Sequence, residues 1–164
     1  MASLRFAVIA SALAAAHATP ATAERIQDPL RFFEGRTETV SSVKVVTKKP
    51  VRTRSLGRGI IKADGTLDLV QRVEEQGKPA RIRRWLIRRV APGRFTGTMS
   101  EATGPVTVEQ VGEGYRFRFK MKGNLSVEQW LTPHAGGKSA TNKVTVRKLG
   151  IKVGSSDGTI RKIG

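Results

Sequence analysis

Glycine-bearing turn signals recur roughly every ten residues along most of this chain, which is the spacing of strands in a β-meander. They are "ADG" at 63–65, "QGK" at 76–78, "APG" at 91–93, "TGP" at 103–105, "GEG" at 112–114 and "KGN" at 122–124, then the longer "PHAGGK" at 133–138. Between them 52–62, 66–76, 80–90, 94–100, 106–111, 115–122, 125–131 and 139–147 read as strands, preceded by 41–51, which ends at Pro50. Two short strands, 148–153 and 159–163, close the chain around an expected turn at "SSDG". A shift of alternation at Val70 and Val73 hints at a bulge. No helical apolar period is sustained past residue 23. The pattern predicts an all-β antiparallel meander folded as a sandwich or closed barrel.

The clearest alternation is "GYRFRFKMKGN", which sets Tyr115, Phe117, Phe119 and Met121 on one face and Arg116, Arg118, Lys120 and Lys122 on the other. A two-residue turn at Gly123-Asn124 would oppose Phe119 to Glu128, a carboxylate on the apolar face. A three-residue turn, Lys122-Gly123-Asn124, instead pairs Met121 with Leu125, Phe119 with Val127 and Tyr115 with Leu131. It also sets Arg118 beside Glu128 and Arg116 beside Trp130, both favourable cross-strand pairs. The three-residue turn is the expected one.

The first 23 residues differ in kind. Arg5, the apolar run from Phe6 to Ala16 and the ending Ala21-Thr22-Ala23 form the pattern of a cleaved secretory signal peptide. This leaves 24–164 as a single domain in the periplasm. The chain has no cysteine, so it expects neither disulfides nor an acylated-cysteine anchor. A domain of this length buries about two-thirds of its unfolded surface and needs no staple.

Catalytic chemistry finds few residues to use. His134 is the one histidine after the signal segment, and no G-x-S-x-G elbow marks a nucleophile. A single histidine without cysteine does not supply a zinc site. Asp64 and Asp157 stand in Asp-Gly pairs that turn geometry explains, and Glu74-Glu75 ends a strand. "GRG" at 57–59 and "GEG" at 112–114 precede no helix that would lend its N-terminus to a phosphate. The expectation is a protein that is not an enzyme and holds no metal or cofactor.

The order of landmarks resembles a known family. "LRFFEG", "ADGT", "RRWLI", "GRFTGTMSEATGPV", "SVEQWL" and "VRKLGIKVG" follow one another as in the domain of unknown function family 3833 of Gram-negative envelope proteins. The matching positions are Phe32, Phe33, Gly35, Asp64, Gly65, Trp85, Gly97, Gly104, Trp130, Lys148 and Gly150. The resemblance runs from about Asp28 to the C-terminus. It implies a lipocalin-like (calycin) β-barrel in the cell envelope, and no established activity. Members commonly look like lipoproteins, whereas this chain lacks the cysteine, and its strands are more basic.

Charge supplies the remaining constraint. Thirty Lys and Arg against 13 Asp and Glu give a net charge of +17, concentrated in 44–58, 78–89 and 115–122. Basic side chains solvate a barrel exterior and protect its edges, but so large an excess also attracts anionic surfaces. Arg81, Arg84, Arg88, Arg116, Arg118 and Lys120 are the expected docking surface for an anionic membrane or lipopolysaccharide. Nucleic acid would bind non-specifically at low salt, and an exported protein meets little of it. A barrel of about eight strands is wide enough either to be filled or to hold one small ligand. Trp85, Tyr115, Phe117, Phe119 and Met121 are the expected interior, lining a site for a lipid-like molecule if hollow and packing against one another if not. An outer-membrane barrel would need an apolar exterior and aromatic girdles, and these polar faces are cationic.

Overall fold

The structure, a computed structural model, describes residues 28–164; the expected signal segment lies outside them. One helical turn, α1 (Pro29–Phe32), precedes ten strands: β1 (Gly35–Val45), β2 (Val51–Ile61), β3 (Leu67–Glu75), β4 (Arg81–Ala91) and β5 (Arg94–Met99) form the first half. The second half is β6 (Val106–Val111), β7 (Gly114–Met121), β8 (Leu125–Pro133), β9 (Ser139–Lys148) and β10 (Ile151–Lys162). Each strand pairs antiparallel with the next, and β10 returns to pair with β1, closing a barrel. Ten strands rather than about eight enclose the interior.

The β7–β8 hairpin has the register expected from its apolar alternation. Met121 faces Leu125, Phe119 faces Val127 and Tyr115 faces Leu131. Gly123 and Asn124 take the positive φ values, 79° and 57°, that let the three-residue turn close. The Arg116 guanidinium lies 5.7 Å from the centre of the Trp130 ring. Arg118, although in register with Glu128, turns to Glu109 on β6 instead.

Three expectations fail for identifiable reasons. The first strand runs from Gly35 to Val45, and 46–50 is a turn in which the Lys48 N–H donates to the Val45 carbonyl at 3.0 Å. Its position is fixed by partners on both sides, which the local pattern does not reveal. Val70 and Val73 mark no bulge: β3 pairs without interruption, with Val70 outside and Val73 buried. The register shifts lie between Arg89 and Ala91 and between Lys152 and Gly154.

The third failure matters most, and it extends to the expected strand 148–153, which instead holds the β9–β10 turn at Leu149-Gly150. "SSDG" is not a turn but the middle of β10, where Asp157 and Gly158 pair with Ser42 and Ser41 on one side and with Lys143 and Asn142 on the other. Gly158 is needed there because β1 crosses very close. A Cβ at 158 would fall 2.1 Å from Ser41 Oγ and 2.5 Å from the Val40 carbonyl oxygen. Residues that make turns when the backbone is free serve here to let two backbones meet.

α1 carries a local signature that the strand pattern masks, an Asp-Pro start. Asp28 Oδ1 accepts from the Leu30 N–H at 2.9 Å, and its Oδ2 accepts from Arg89 at 3.0 Å, so one carboxylate caps the turn and ties it to β4. Leu30, Phe32 and Phe33 are thereby buried at one end of the barrel. The chain passes so near β2 there that a Cβ on Gly59 would lie 2.0 Å from the Phe33 carbonyl oxygen. Above this plug, Phe95 and Tyr115 meet edge to face at 6.5 Å, among Val106, Leu131, Ala140 and Ile160. Burial of such side chains contributes about 1.5–3 kcal/mol each and makes this end a solid floor.

Replacing Gly158 by alanine forces β1 and β10 apart. We expect a loss of about 2 kcal/mol or more, as for overpacked interiors, measured by urea denaturation. An unchanged midpoint would mean that the two strands are not held at this spacing.

Candidate ligand-binding cavity

The two walls of the barrel differ in side-chain size, and a cavity follows from the difference. Strands β3 to β8 send inward Leu67, Leu69, Val73, Trp85, Ile87, Met99, Val108, Phe117, Phe119 and Val127. Facing them, β1, β2 and β10 contribute Thr39, Ser41, Thr53, Ser55 and Ser156. Small side chains opposite large ones leave a space of about 440 Å3, within the range of small-molecule sites. The interior is hollow toward one end, and the filled-barrel alternative does not hold there. Leu30 and Phe33 line the inner end, while Lys44, Val45 and Arg81 line the outer, solvent-facing end.

The apolar wall is organised around Trp85. Its ring meets Phe119 edge to face at 5.6 Å and Phe117 at 6.4 Å, geometries worth about 0.5–1.5 kcal/mol each beyond burial. The indole N–H donates to Gln71 Oε1 at 2.8 Å, which fixes the ring's rotation. Deeper on the polar side, Gln129 Nε2 donates to Asn142 Oδ1 at 2.8 Å. The hydroxyls of Thr39, Ser41, Thr53, Ser55 and Ser156 make no hydrogen bond to another described residue. The cavity therefore presents aromatic faces on one side and free hydroxyls on the other.

Charge gathers where the cavity opens on the β3–β4 side. Glu101, in the β5–β6 connection, accepts from Arg81 Nε at 2.8 Å and from Arg83 Nε at 2.7 Å. Glu75 accepts from Lys78 at 2.7 Å and stands 3.5 Å from Arg81. The Lys78 hydrogen bond, opposed by desolvation and backed by the charges of Lys78 and then Arg81, keeps the Glu75 carboxyl below its ordinary range. Arg83 is the more enclosed of the two arginines, and desolvation lowers its pKa, though its Glu101 partner opposes this. It stays charged, as guanidinium groups do.

The expected interior residues divide. Trp85, Phe117, Phe119 and Met121 line the cavity, whereas Tyr115 lies below it in the packed floor, where burial pushes its phenol pKa up. Tyr115 points inward as its alternation requires, but depth along the barrel separates a lining residue from a floor residue, and alternation carries no depth. Of the expected docking cations, Arg81 stands apart from the rest. Its odd-numbered register with Arg83 and Trp85 turns it to the cavity mouth. Arg84 faces out and holds Asp68 at 2.6 Å, and Arg116 and Arg118 share Glu109. Arg88 and Lys120 are exposed on the outer wall. The outer wall thus mixes these cations with exposed apolar side chains such as Val40, Ile60 and Ile82. The hydroxyl wall carries no sequence signal of its own, because serine and threonine inside a strand look like ordinary solvent-facing residues.

No family model matches the chain, and no curated protein matches it. Among solved structures it is similar to the S-type phycobiliprotein lyase of Guillardia theta, with a TM-score of 0.65 at 7% identity, over 82% of this chain and 90% of that one. The likeness is one of fold, and the fold is an all-β, lipocalin-like barrel.

The outer wall yields a pH test. The Arg84 hydrogen bond, with help from Lys62, lowers the Asp68 pKa from 3.8 to about 2. A carboxylate depressed in the folded state contributes stability above its unfolded pKa and loses it as pH falls through the folded one. Asp68→Asn is expected to cost stability at pH above 3.8, with the difference from wild type closing as pH approaches 2. Urea midpoints across that range would show it, and a constant difference would contradict the assigned ion pair.

Proposed function

We propose that this protein is a non-enzymatic carrier of an amphipathic, lipid-like molecule in the periplasm. The observation that carries the reading is the two-sided cavity. An apolar chain or ring system would lie against Trp85, Phe117, Phe119 and Met121. Its polar edge would meet the hydroxyls of Ser41, Thr53 and Ser55. An anionic head at the mouth would take a hydrogen bond from Arg83, which keeps further donors beyond those directed at Glu101. The signal-like segment and the resemblance to envelope barrels support the compartment. The one His–hydroxyl cluster among the described residues, His134 with Ser139 at 2.9 Å and Thr141 at 2.8 Å, is exposed at the β8–β9 connection and does not line the cavity, which supports binding rather than turnover there.

Titration with a dansyl-labelled fatty acid, following energy transfer from Trp85, tests the reading. We expect saturable binding near one molecule per chain. Ser55→Phe, which fills the cavity from the hydroxyl wall, is expected to abolish it while the fold is retained. Unsaturable binding, or equal binding by Ser55→Phe, would sink the proposal.

Arg83 tests the head group separately. Arg83→Gln is expected to weaken a fatty acid roughly tenfold or more relative to the fatty alcohol of the same length, the scale of a hydrogen bond to a charged group. Glu101 keeps Arg81 as its partner in this variant. Equal loss for acid and alcohol would place the head elsewhere.

A further inference from the structure

Beside the cavity mouth, two neighbouring turns combine features that the carrier reading does not use. The β1–β2 connection, "KVVTKKP" at 44–50, and the β9–β10 hairpin, "RKLGIKVG" at 147–154, contain no acidic residue. They are adjacent: Val45 is in register with Gly154, and the Val46 N–H donates to the Val153 carbonyl at 3.0 Å. Lys44, Lys48, Lys49, Arg147, Lys148 and Lys152 stand here without an ion-pair partner among the described residues. The adjoining stretch of the mouth, past β2, differs, because Glu75 and Glu101 engage Lys78, Arg81 and Arg83.

The tip of the hairpin is apolar. Leu149 and Ile151 are the most exposed large hydrophobic side chains of the described residues, at 80% and 72%, and Val46 beside them is exposed as well. Lys148 and Ile151 pair around a two-residue turn, Leu149-Gly150, whose φ values are 50° and 84°. Such turns favour Asn, Asp or Gly at both positions. A leucine there adopts a costly backbone conformation and recovers nothing by burial within the fold. Apolar tips ringed by lysine and arginine fit the boundary between anionic headgroups and acyl chains, where the tips enter the apolar layer and the cations remain among the phosphates.

We infer that the rim formed by the β1–β2 turn and the β9–β10 hairpin docks on the surface of an anionic phospholipid bilayer. Lys44, Val45 and Gly154 belong both to this rim and to the cavity lining, so docking would bring the mouth to the membrane. The inference goes beyond the carrier reading and does not require it.

The barrel closes on itself within residues 28–164, so a chain starting at residue 28 keeps all ten strands and lacks the apolar run near residue 10. Its co-sedimentation with vesicles of phosphatidylglycerol mixed with phosphatidylcholine would be compared with phosphatidylcholine alone. We expect binding to the anionic vesicles only, weakening with salt. Lys148→Glu/Lys152→Glu is expected to reduce it at least about 25-fold, from roughly fivefold for each cation lost. Leu149→Asn/Ile151→Thr, which suits the turn and strand better and so retains the fold, is expected to reduce it about tenfold or more. Lys138→Glu/Arg58→Glu, the same charge change toward the plugged end, should bind nearly as wild type.

Equal losses in the two charge variants would reduce the effect to net charge and overturn the assignment. Loss with the charge variant but none with Leu149→Asn/Ile151→Thr would indicate a polyanion site without insertion and would overturn it too. Fatty-acid binding in solution reports on the cavity alone: its absence alongside intact docking removes the carrier reading and leaves the rim standing.

Discussion

The meeting of β1 and β10 is the contact on which the rest of the molecule depends. Without it the ten strands form a curved sheet with two bare edges, an apolar inner wall open to water and no cavity. The pairing holds because Ser41 and Gly158 together occupy little more space than two backbones need. The run of small residues that continues from there, through Thr39, Ser55 and Ser156, also leaves the interior unfilled on that side. Closure and hollowness thus have one cause, a wall of small side chains facing a wall of large ones.

How much of this was legible in the sequence depended on the range of the determining interaction. The β7–β8 register was readable because period-two alternation and a three-residue turn act within a few residues of one another. The interior placement of Trp85, Phe117 and Phe119 followed from the same alternation. "SSDG" was misread because its local chemistry favours a turn, while the requirement that overrides it comes from Ser41, far away in the sequence. The position of Arg81 at the mouth was harder to see, since a run as basic as "ARIRRWLIRR" obscures which arginines share a face with Trp85. The depth that separates Tyr115 from Phe117 depends on the plug formed by α1, which no strand pattern announces.

The large positive charge also resolves into distinct roles once positions are known. Arg84, Arg116 and Arg118 are engaged by Asp68 and Glu109 on the outer wall, and Arg89 holds the plug through Asp28. Arg81 and Arg83 share Glu101 at the mouth. Most acids are therefore spent on arginines, and the lysines near the β9–β10 hairpin are left over. Exposed pairs of this kind contribute little to stability, so their chief effect is to decide where the unbalanced charge remains.

A barrel sealed by its first and last strands carries a kinetic consequence. β1 has one partner as soon as β2 follows it, but its second is β10, the final twelve-residue strand. As the chain emerges from the ribosome, its oldest strand must wait for its youngest. Until then the interior faces solvent and both sheet edges are exposed. Folding in which the decisive contact joins the two ends belongs to the slow, non-local class. The nascent barrel therefore stays incompletely folded until all ten strands are available, and its native state is reached only when β10 joins β1.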